Sequence, residues 1–150
     1  APHLTPQGVG RQWYSLFPPV WSEVPGAIEE LRIRLRNLPN SLIPLEKTIV
    51  LGFSQGGAMA LDSCCDLPFA GIICCSAYPH PTWVPAGKQS PLLFTHGLRD
   101  NVVPFEATKK IVKSFEKSSF NVDFQTFDGG HEIPPELLPK LRKVLGDWFE

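Results

Sequence analysis

Two hydrophobic periods alternate along the chain and predict its secondary structure. Within 23–38, apolar side chains such as Leu31 and Leu35 recur at helical spacing, whereas other apolar runs are short and β-rich or alternate with polar residues. After a proline-bearing loop to about residue 20, the predicted elements are helix 23–38, strand 48–53, helix 55–65, strands 69–76 and 92–96, helix 105–117, strand 122–127 and helix 135–149. Strands that alternate with helices predict an α/β fold with helices on both faces of a parallel sheet.

The strongest chemical signal lies where strand 48–53 ends. Here the sequence Gly52-Phe53-Ser54-Gln55-Gly56 matches the G-x-S-x-G nucleophile elbow, in which a strained turn from strand to helix exposes the serine Oγ. We expect glycine at both positions because such a turn leaves no room for side chains there. A glycine-rich turn with an incidental serine is the alternative, but the flanking strand and helix patterns favour Ser54 as a nucleophile.

A serine hydroxyl needs a base and an orienting acid before it becomes a good nucleophile. Asp100 follows predicted strand 92–96, and His131 follows predicted strand 122–127. The order serine, aspartate, histidine, with each residue after a different strand, is that of the α/β-hydrolase triad. Asp128 also follows a strand and is the alternative acid, although its position before two glycines is more typical of a turn.

Three longer segments carry a common pattern: GFSQGGAMAL around the serine, THGLRDNVVP around the aspartate and FDGGHEIPPE around the histidine. All three resemble the phospholipase/carboxylesterase family of α/β-hydrolases, which includes acyl-protein thioesterases, and the resemblance extends from near the first residue to the last helix. It implies Ser54 as nucleophile, His131 as general base and later general acid, and Asp100 as the carboxylate that orients the imidazole. It further implies that the backbone N–H of Gln55 is an oxyanion-hole donor.

The activity that this resemblance implies is a serine hydrolase acting on carboxylic ester or thioester bonds through an acyl-enzyme at Ser54. Small-molecule esters or acyl thioesters are the expected substrates, with no cofactor and no metal. A dienelactone-hydrolase-like activity is the nearest rival, but that group generally uses cysteine where this chain has serine.

The family pattern also has segments that this sequence does not show. The chain starts at Ala1, past the first strands and the HG-containing loop that normally supplies a second oxyanion donor. We therefore expect one α/β-hydrolase domain over 1–150 that is N-terminally incomplete, about the C-terminal two-thirds of the fold. Its alternative function is that of a catalytically weak or inactive hydrolase fragment that acts as a binding or assembly piece. If the chain folds alone, strand 48–53 becomes a sheet edge, and we expect aggregation or a homodimer through it.

Composition narrows the partners of the protein. With 150 residues, 43 % hydrophobic residues and a net charge of −1, the chain can bury one core, and its scattered basic residues do not indicate nucleic acid binding. No apolar run is long enough for a transmembrane segment. The cysteines form adjacent pairs without C-x-x-C spacing, which favours small buried hydrophobes and a cytoplasmic location.

A proline-rich loop over 76–90 lies at the same sheet edge as the predicted triad. Tyr78 and Trp83 in this loop are candidate substrate-binding residues, with the alternative that both rings only pack the loop down. The remaining histidines are expected to be structural or peripheral: His3 and His80 lie in proline-bearing loops, and His96 belongs to the turn before Asp100.

Overall fold

A computed structural model describes residues 1–38, 42–85, 90–116 and 121–149. The described elements are β1 (His3–Leu4), β2 (Arg11–Gln12), α1 (Val24–Arg36), β3 (Ile49–Phe53), α2 (Gln55–Cys64), β4 (Gly71–Cys75), β5 (Leu92–Gly97), α3 (Phe105–Phe115), β6 (Val122–Phe127) and α4 (Leu138–Asp147). The predicted alternation of strands and helices is confirmed, and the differences lie at the element ends. The predicted helix end at Lys117 and part of the loop 76–90, including Gly87, lie outside the described residues.

Strands β3 to β6 form one parallel sheet in the order β3-β4-β5-β6. Every residue of β4 and β5 is buried, because each strand has a neighbour on both sides and helices pack on both faces of the sheet. The fold class is therefore confirmed as a parallel α/β sheet. Strand β3, which leads to Ser54, is an outer strand of this described sheet, and its Leu51 side is exposed.

The two faces of the sheet have separate cores. On one face, Ile72, Cys74 and Phe94 pack with residues of α2 and α3. On the other face, Cys75 belongs to a cluster that includes Leu141 of α4. Cys74 and Cys75 thus lie on opposite faces, as successive residues of a strand must.

The cysteines behave as small apolar side chains. All four are free and buried. Burial raises the pKa of the Cys74 thiol well above its ordinary value, so this side chain is not a thiolate nucleophile near neutral pH. The prediction of small buried hydrophobes is confirmed.

The N-terminal segment covers α2 from outside the sheet. Val24 and Ala27 of α1 pack with Met59 of α2 and with Tyr14, which is buried. The sequence analysis predicted only a loop before α1, and it missed the two-residue strands β1 and β2, which pair in antiparallel fashion. Among the described residues, no helix has the length and apolar character needed to cross a membrane.

Candidate active site

Ser54 lies on a strained turn between β3 and α2. Its backbone has φ 54° and ψ −119°, a combination that costs a non-glycine residue free energy and persists only where the surroundings impose it. The surroundings do so through hydrogen bonds: Ser54 N donates to the carbonyl oxygen of Cys75 (2.8 Å), and Ala58 N donates to the carbonyl oxygen of Ser54 (3.1 Å). The side chain is therefore displayed at the carboxyl end of β3, as the elbow motif predicts.

The glycines around Ser54 have unequal roles. A Cβ at Gly52 would lie 2.1 Å from the carbonyl oxygen of Gly56, so only glycine fits there. A Cβ at Gly56 would meet nothing within 4 Å, and the prediction that this position lacks room for a side chain is wrong. The second crowded position is Gly57, where a Cβ would lie 2.9 Å from that of Ala77. The helix approaches β4 one residue later than the motif alone suggests.

Asp100 is fully fixed by hydrogen bonds after β5. Its Oδ1 accepts from the backbone N–H groups of Val102 (2.9 Å) and Val103 (2.8 Å), and its Oδ2 lies 2.7 Å from His131 Nδ1. Burial opposes ionisation, but the hydrogen bonds from His131, Val103 and Val102 outweigh it and lower the pKa of Asp100 below its ordinary value. Asp100 is therefore a carboxylate near neutral pH. Because an ionised carboxylate only accepts, His131 Nδ1 is the donor in this bond, and the tautomer of the neutral imidazole that fits it has its lone pair on Nε2.

The loops that carry Asp100 and His131 are joined through their main chains. Leu98 N donates to the carbonyl oxygen of Phe127, and Arg99 N donates to that of Gly129, both at 2.9 Å. A Cβ at Gly97 would lie 2.3 Å from the carbonyl oxygen of Gly130, so this close approach requires glycine. The acid and the imidazole are thus brought together by backbone contacts.

Asp128, the alternative acid, faces away from this arrangement. Its side chain is 76 % exposed, and its described ion pair is with Arg99 Nε at 3.3 Å. The structure brings His131 together with Asp100, and the turn character of Asp128 agrees with its exposure.

A cavity of about 350 Å³ is shared by two of the three predicted triad residues. Both Ser54 and His131 line it. Its other walls are mostly apolar and come from three segments: Leu16, Phe17, Pro19 and Trp21 before α1, Tyr78 after β4, and Val102, Val103, Pro104 and Ala107 after β5. An apolar cleft with a few convergent polar groups is typical of a small-molecule site.

The structure treats the two candidate substrate-binding aromatics differently. Tyr78 lines the cavity of Ser54, as expected. Trp83 does not reach that cavity: its ring packs edge-on against Phe115 of α3, with centroids 5.7 Å apart. It lines a separate cavity of about 260 Å³ that includes Arg32 and Asp66. The chain turns after Tyr78 and carries Trp83 onto the helical layer, so Trp83 matches the packing alternative.

His96 contacts the acid, a role that the sequence analysis missed. Its ring is fully buried, with Nε2 3.3 Å from Asp100 Oδ2 and 2.9 Å from the carbonyl oxygen of Val103. Nδ1 lies 2.7 Å from Thr108 Oγ1. The sequence signal for this contact is that His96 precedes Asp100 by four residues. A strand end followed by a tight turn brings two side chains at this spacing together.

The backbone and the side chain of Gln55 lie in different surroundings. It is the first residue of α2, so its backbone N–H lies in the first turn, where helices have no internal acceptor. Its side chain binds the N-terminal segment: Oε1 accepts from Trp13 N (2.9 Å), and Nε2 donates to the carbonyl oxygen of Tyr14 (2.8 Å).

The described residues contain no group of three or more His, Cys, Asp or Glu residues placed to hold a metal ion.

Comparison with known proteins identifies the family of this chain. The chain matches the family described as phospholipase/carboxylesterase over residues 4–149. It is 33 % identical to a probable carboxylesterase of Oryza sativa subsp. japonica over 112 residues, which cover 69 % of this chain and 42 % of that protein. It is 32 % identical to acyl-protein thioesterase 1 of Neurospora crassa over 120 residues, which cover 71 % of this chain and 48 % of that protein. The chain spans about half the length of the curated relatives it matches.

Solved structures show the same fold. Esterase PE8 superimposes with a TM-score of 0.87 at 23 % identity, covering 98 % of this chain and 75 % of that one. A variant of SOBER1 from Arabidopsis thaliana superimposes with a TM-score of 0.77 at 23 % identity, covering 86 % of this chain and 66 % of that one. The extent of the sequence match and the shared fold agree, and the chain belongs to the phospholipase/carboxylesterase family of α/β-hydrolases.

Proposed function

We propose that the protein containing this chain is a serine hydrolase that cleaves carboxylic ester or thioester bonds through an acyl-enzyme at Ser54. His131 Nε2 takes the proton of the Ser54 hydroxyl as Oγ attacks the acyl carbon, and it then gives this proton to the departing alcohol or thiol. Water repeats the cycle on the acyl-enzyme and releases the acid. Asp100 holds the His131 tautomer that leaves Nε2 free to accept.

One observation carries this proposal. The 2.7 Å hydrogen bond between His131 Nδ1 and Asp100 Oδ2 lies beside a cavity that Ser54 and His131 share. The strained backbone of Ser54 supports the assignment, because strain of this kind accumulates at functional sites.

The walls of the cavity support an apolar acyl or alcohol group as the part of the substrate that binds there. Phe17, Trp21 and Val102 line it with apolar surface and are exposed at its rim. Carboxylesterases and acyl-protein thioesterases are among the relatives, and both act on acyl groups. We therefore propose small esters or acyl thioesters as substrates.

Stabilisation of the tetrahedral intermediate decides between an efficient enzyme and a weak or inactive one. The backbone N–H of Gln55 is the proposed donor within this chain, because it follows the nucleophile and lies in the first turn of α2. Loss of one such donor typically costs about 10²–10³ in turnover. Efficient catalysis therefore depends on a second donor beside the N–H of Gln55.

A fluorophosphonate probe tests the nucleophile directly, because it reacts covalently with activated serines. We expect the parent to be labelled at one site and Ser54→Ala to be unlabelled, with peptide mass spectrometry locating the adduct. Ser114→Ala is the matched control, since Ser114 Oγ bonds the carbonyl oxygen of Ile111 within α3. Labelling of Ser54→Ala equal to that of the parent would refute the assignment.

Substrate class follows from hydrolysis of p-nitrophenyl esters of graded chain length beside an acyl thioester. Probe labelling with no turnover of either class would favour the alternative, a binding or assembly piece.

Two further properties belong to this proposal. The four free, buried cysteines support a cytoplasmic location, because reducing compartments keep thiols free. The exposed Leu51 side of β3 supports a homodimer of the chain when it is produced alone.

A further inference from the structure

A second set of polar side chains begins at Tyr78 in the cavity wall, continues through residues that do not line the cavity, and takes no part in the proposed chemistry. Tyr78 Oη is 2.6 Å from Tyr14 Oη, Tyr14 Oη is 2.9 Å from His80 Nε2, and His80 Nδ1 is 2.8 Å from Asp62 Oδ2. We call these four residues the polar row. It links the segment before α1, the helix α2 and the loop after β4, three parts of the chain that share no strand pairing.

The hydrogens of the polar row can all point in one direction. Asp62 accepts from His80 Nδ1, which leaves Nε2 of a neutral imidazole as the acceptor for the Tyr14 hydroxyl. Tyr14 oxygen then accepts from the Tyr78 hydroxyl. Burial raises the pKa of Tyr14, so this phenol keeps its proton as a donor. In this arrangement each buried donor of the row has an acceptor, so the three hydrogen bonds fix the relative positions of the four side chains.

The polar row is not a second catalytic triad, although it also runs from acid to imidazole to hydroxyl. Tyr14 is 2 % exposed, and the side chain of His80 is fully buried. The raised pKa of Tyr14 makes its phenolate inaccessible near neutral pH. A hydroxyl that neither meets solvent nor loses its proton is not a nucleophile, and a role in positioning remains.

What the row positions is the aromatic wall of the cavity. The ring of Trp21, a cavity residue, packs against Tyr14 (centroids 6.1 Å apart), Tyr78 (6.4 Å) and His80 (6.5 Å). Gln55 holds the same segment by its hydrogen bonds to Trp13 N and to the carbonyl oxygen of Tyr14. Four residues of the cavity wall, Leu16, Phe17, Pro19 and Trp21, follow this anchored point.

We propose that the polar row of Asp62, His80, Tyr14 and Tyr78 sets substrate specificity by fixing the aromatic wall, so that long acyl groups depend on it and short ones do not. This inference rests on the proposed esterase function. A long chain would lie along Leu16, Phe17 and Trp21, whereas an acetyl group at Ser54 does not extend that far. Loss of the row therefore raises KM for long substrates and leaves the acid, the imidazole and the nucleophile as they are.

The test uses protein produced from the complete reading frame and compares p-nitrophenyl acetate with p-nitrophenyl octanoate. Tyr14→Phe keeps the ring but removes both hydroxyl bonds. We expect kcat/KM for octanoate to fall about tenfold through KM, and kcat/KM for acetate to change less than about twofold. The ratio of the two values does not depend on the fraction of folded enzyme, so a general loss of stability leaves it unchanged.

Asp62 gives a second, independent perturbation at the far end of the row, outside the cavity of Ser54. Asp62→Leu removes the acceptor for His80 Nδ1 and is expected to reproduce the Tyr14→Phe ratio. Asp62→Asn keeps an oxygen acceptor and is expected to restore most of the parent selectivity. Ser90→Ala is the matched control, because it deletes a hydrogen bond to the carbonyl oxygen of Leu67 (3.1 Å) that involves no residue of the row or of the Ser54 cavity, and its ratio should equal that of the parent.

The outcomes separate the two proposals. A selective loss for octanoate in Tyr14→Phe and Asp62→Leu supports the row as a specificity determinant. An unchanged ratio of the two kcat/KM values, whether both values fall equally or neither falls, overturns it while the esterase function stands. A parent that hydrolyses neither of these esters nor an acyl thioester overturns the proposed function instead. If Tyr14→Phe does not fold, Asp62→Leu against Asp62→Asn decides.

Discussion

Replacement of Asp100 by asparagine distinguishes an orienting acid from a merely structural carboxylate. Two backbone N–H groups, of Val102 and Val103, point at Oδ1 at 2.9 and 2.8 Å. In Asp100→Asn these donors retain the amide oxygen, which turns the amide NH₂ toward His131 Nδ1. That nitrogen must then accept, so the imidazole proton moves to Nε2 and the base loses its lone pair.

The expected cost to turnover is large and the cost to folding is modest. Loss of the correct tautomer costs about 10⁴ in kcat in a serine-protease triad, and we expect a decrease of that order here. The variant keeps both backbone hydrogen bonds but loses the charge-assisted bond to His131 and the 3.3 Å contact with His96 Nε2, so its free energy of unfolding should fall by about 1.5–3 kcal/mol.

The assay measures ester turnover and denaturant unfolding side by side, with Asp128→Asn as the matched control. Asp128 is exposed and its ion pair with Arg99 is a surface contact, so this control should keep its activity and lose at most about 1 kcal/mol. Parent-like turnover in Asp100→Asn, or an equal loss in Asp128→Asn, would refute the reasoning.

Three further predictions concern stability and assembly. Gly52→Ala places a Cβ 2.1 Å from the carbonyl oxygen of Gly56 and should destabilise the protein by roughly 3 kcal/mol or more, whereas Gly56→Ala meets no atom within 4 Å and should be neutral or stabilising; equal melting temperatures would contradict this. Because the pKa of Asp100 is lowered by folding, its ionised form stabilises the protein above its ordinary value of 3.8, and this contribution is lost as pH falls through the lower folded value. Unfolding free energies from pH 6 to pH 2 should therefore fall more steeply in the parent than in Asp100→Asn, and parallel curves would exclude the linkage. The 150-residue chain produced alone should self-associate by size-exclusion chromatography, and Leu51→Lys on the exposed side of β3 should reduce this; a monomeric parent would count against edge pairing.

The site residues that sequence analysis identified are those whose signals are local. Ser54 is marked by glycines at fixed offsets, and Asp100 and His131 follow strands whose direction the alternation with helices implies. The hydrogen bond between these last two residues agrees with that expectation because parallel strands end at one edge.

The features that sequence analysis did not identify, or placed wrongly, depend on contacts between distant segments. His80 is buried because Tyr14 and Asp62 meet it from other parts of the chain, and neither neighbour can be identified from the proline-rich loop around it. Trp83 packs on Phe115 for the same kind of reason, since the path of its loop over α3 has no periodic signal. Crowding at Gly57 rather than Gly56 reflects how closely α2 approaches Ala77, a tertiary distance.

Val102 and Val103 contribute to the site through both their backbones and their side chains. Their backbone N–H groups hold Asp100, and their side chains line the cavity. Every residue type except proline offers that N–H, so the side chains can be exchanged during evolution without loss of the acid's support. Related proteins can therefore diverge in substrate range through this wall while the proton-transfer machinery behind it is inherited unchanged.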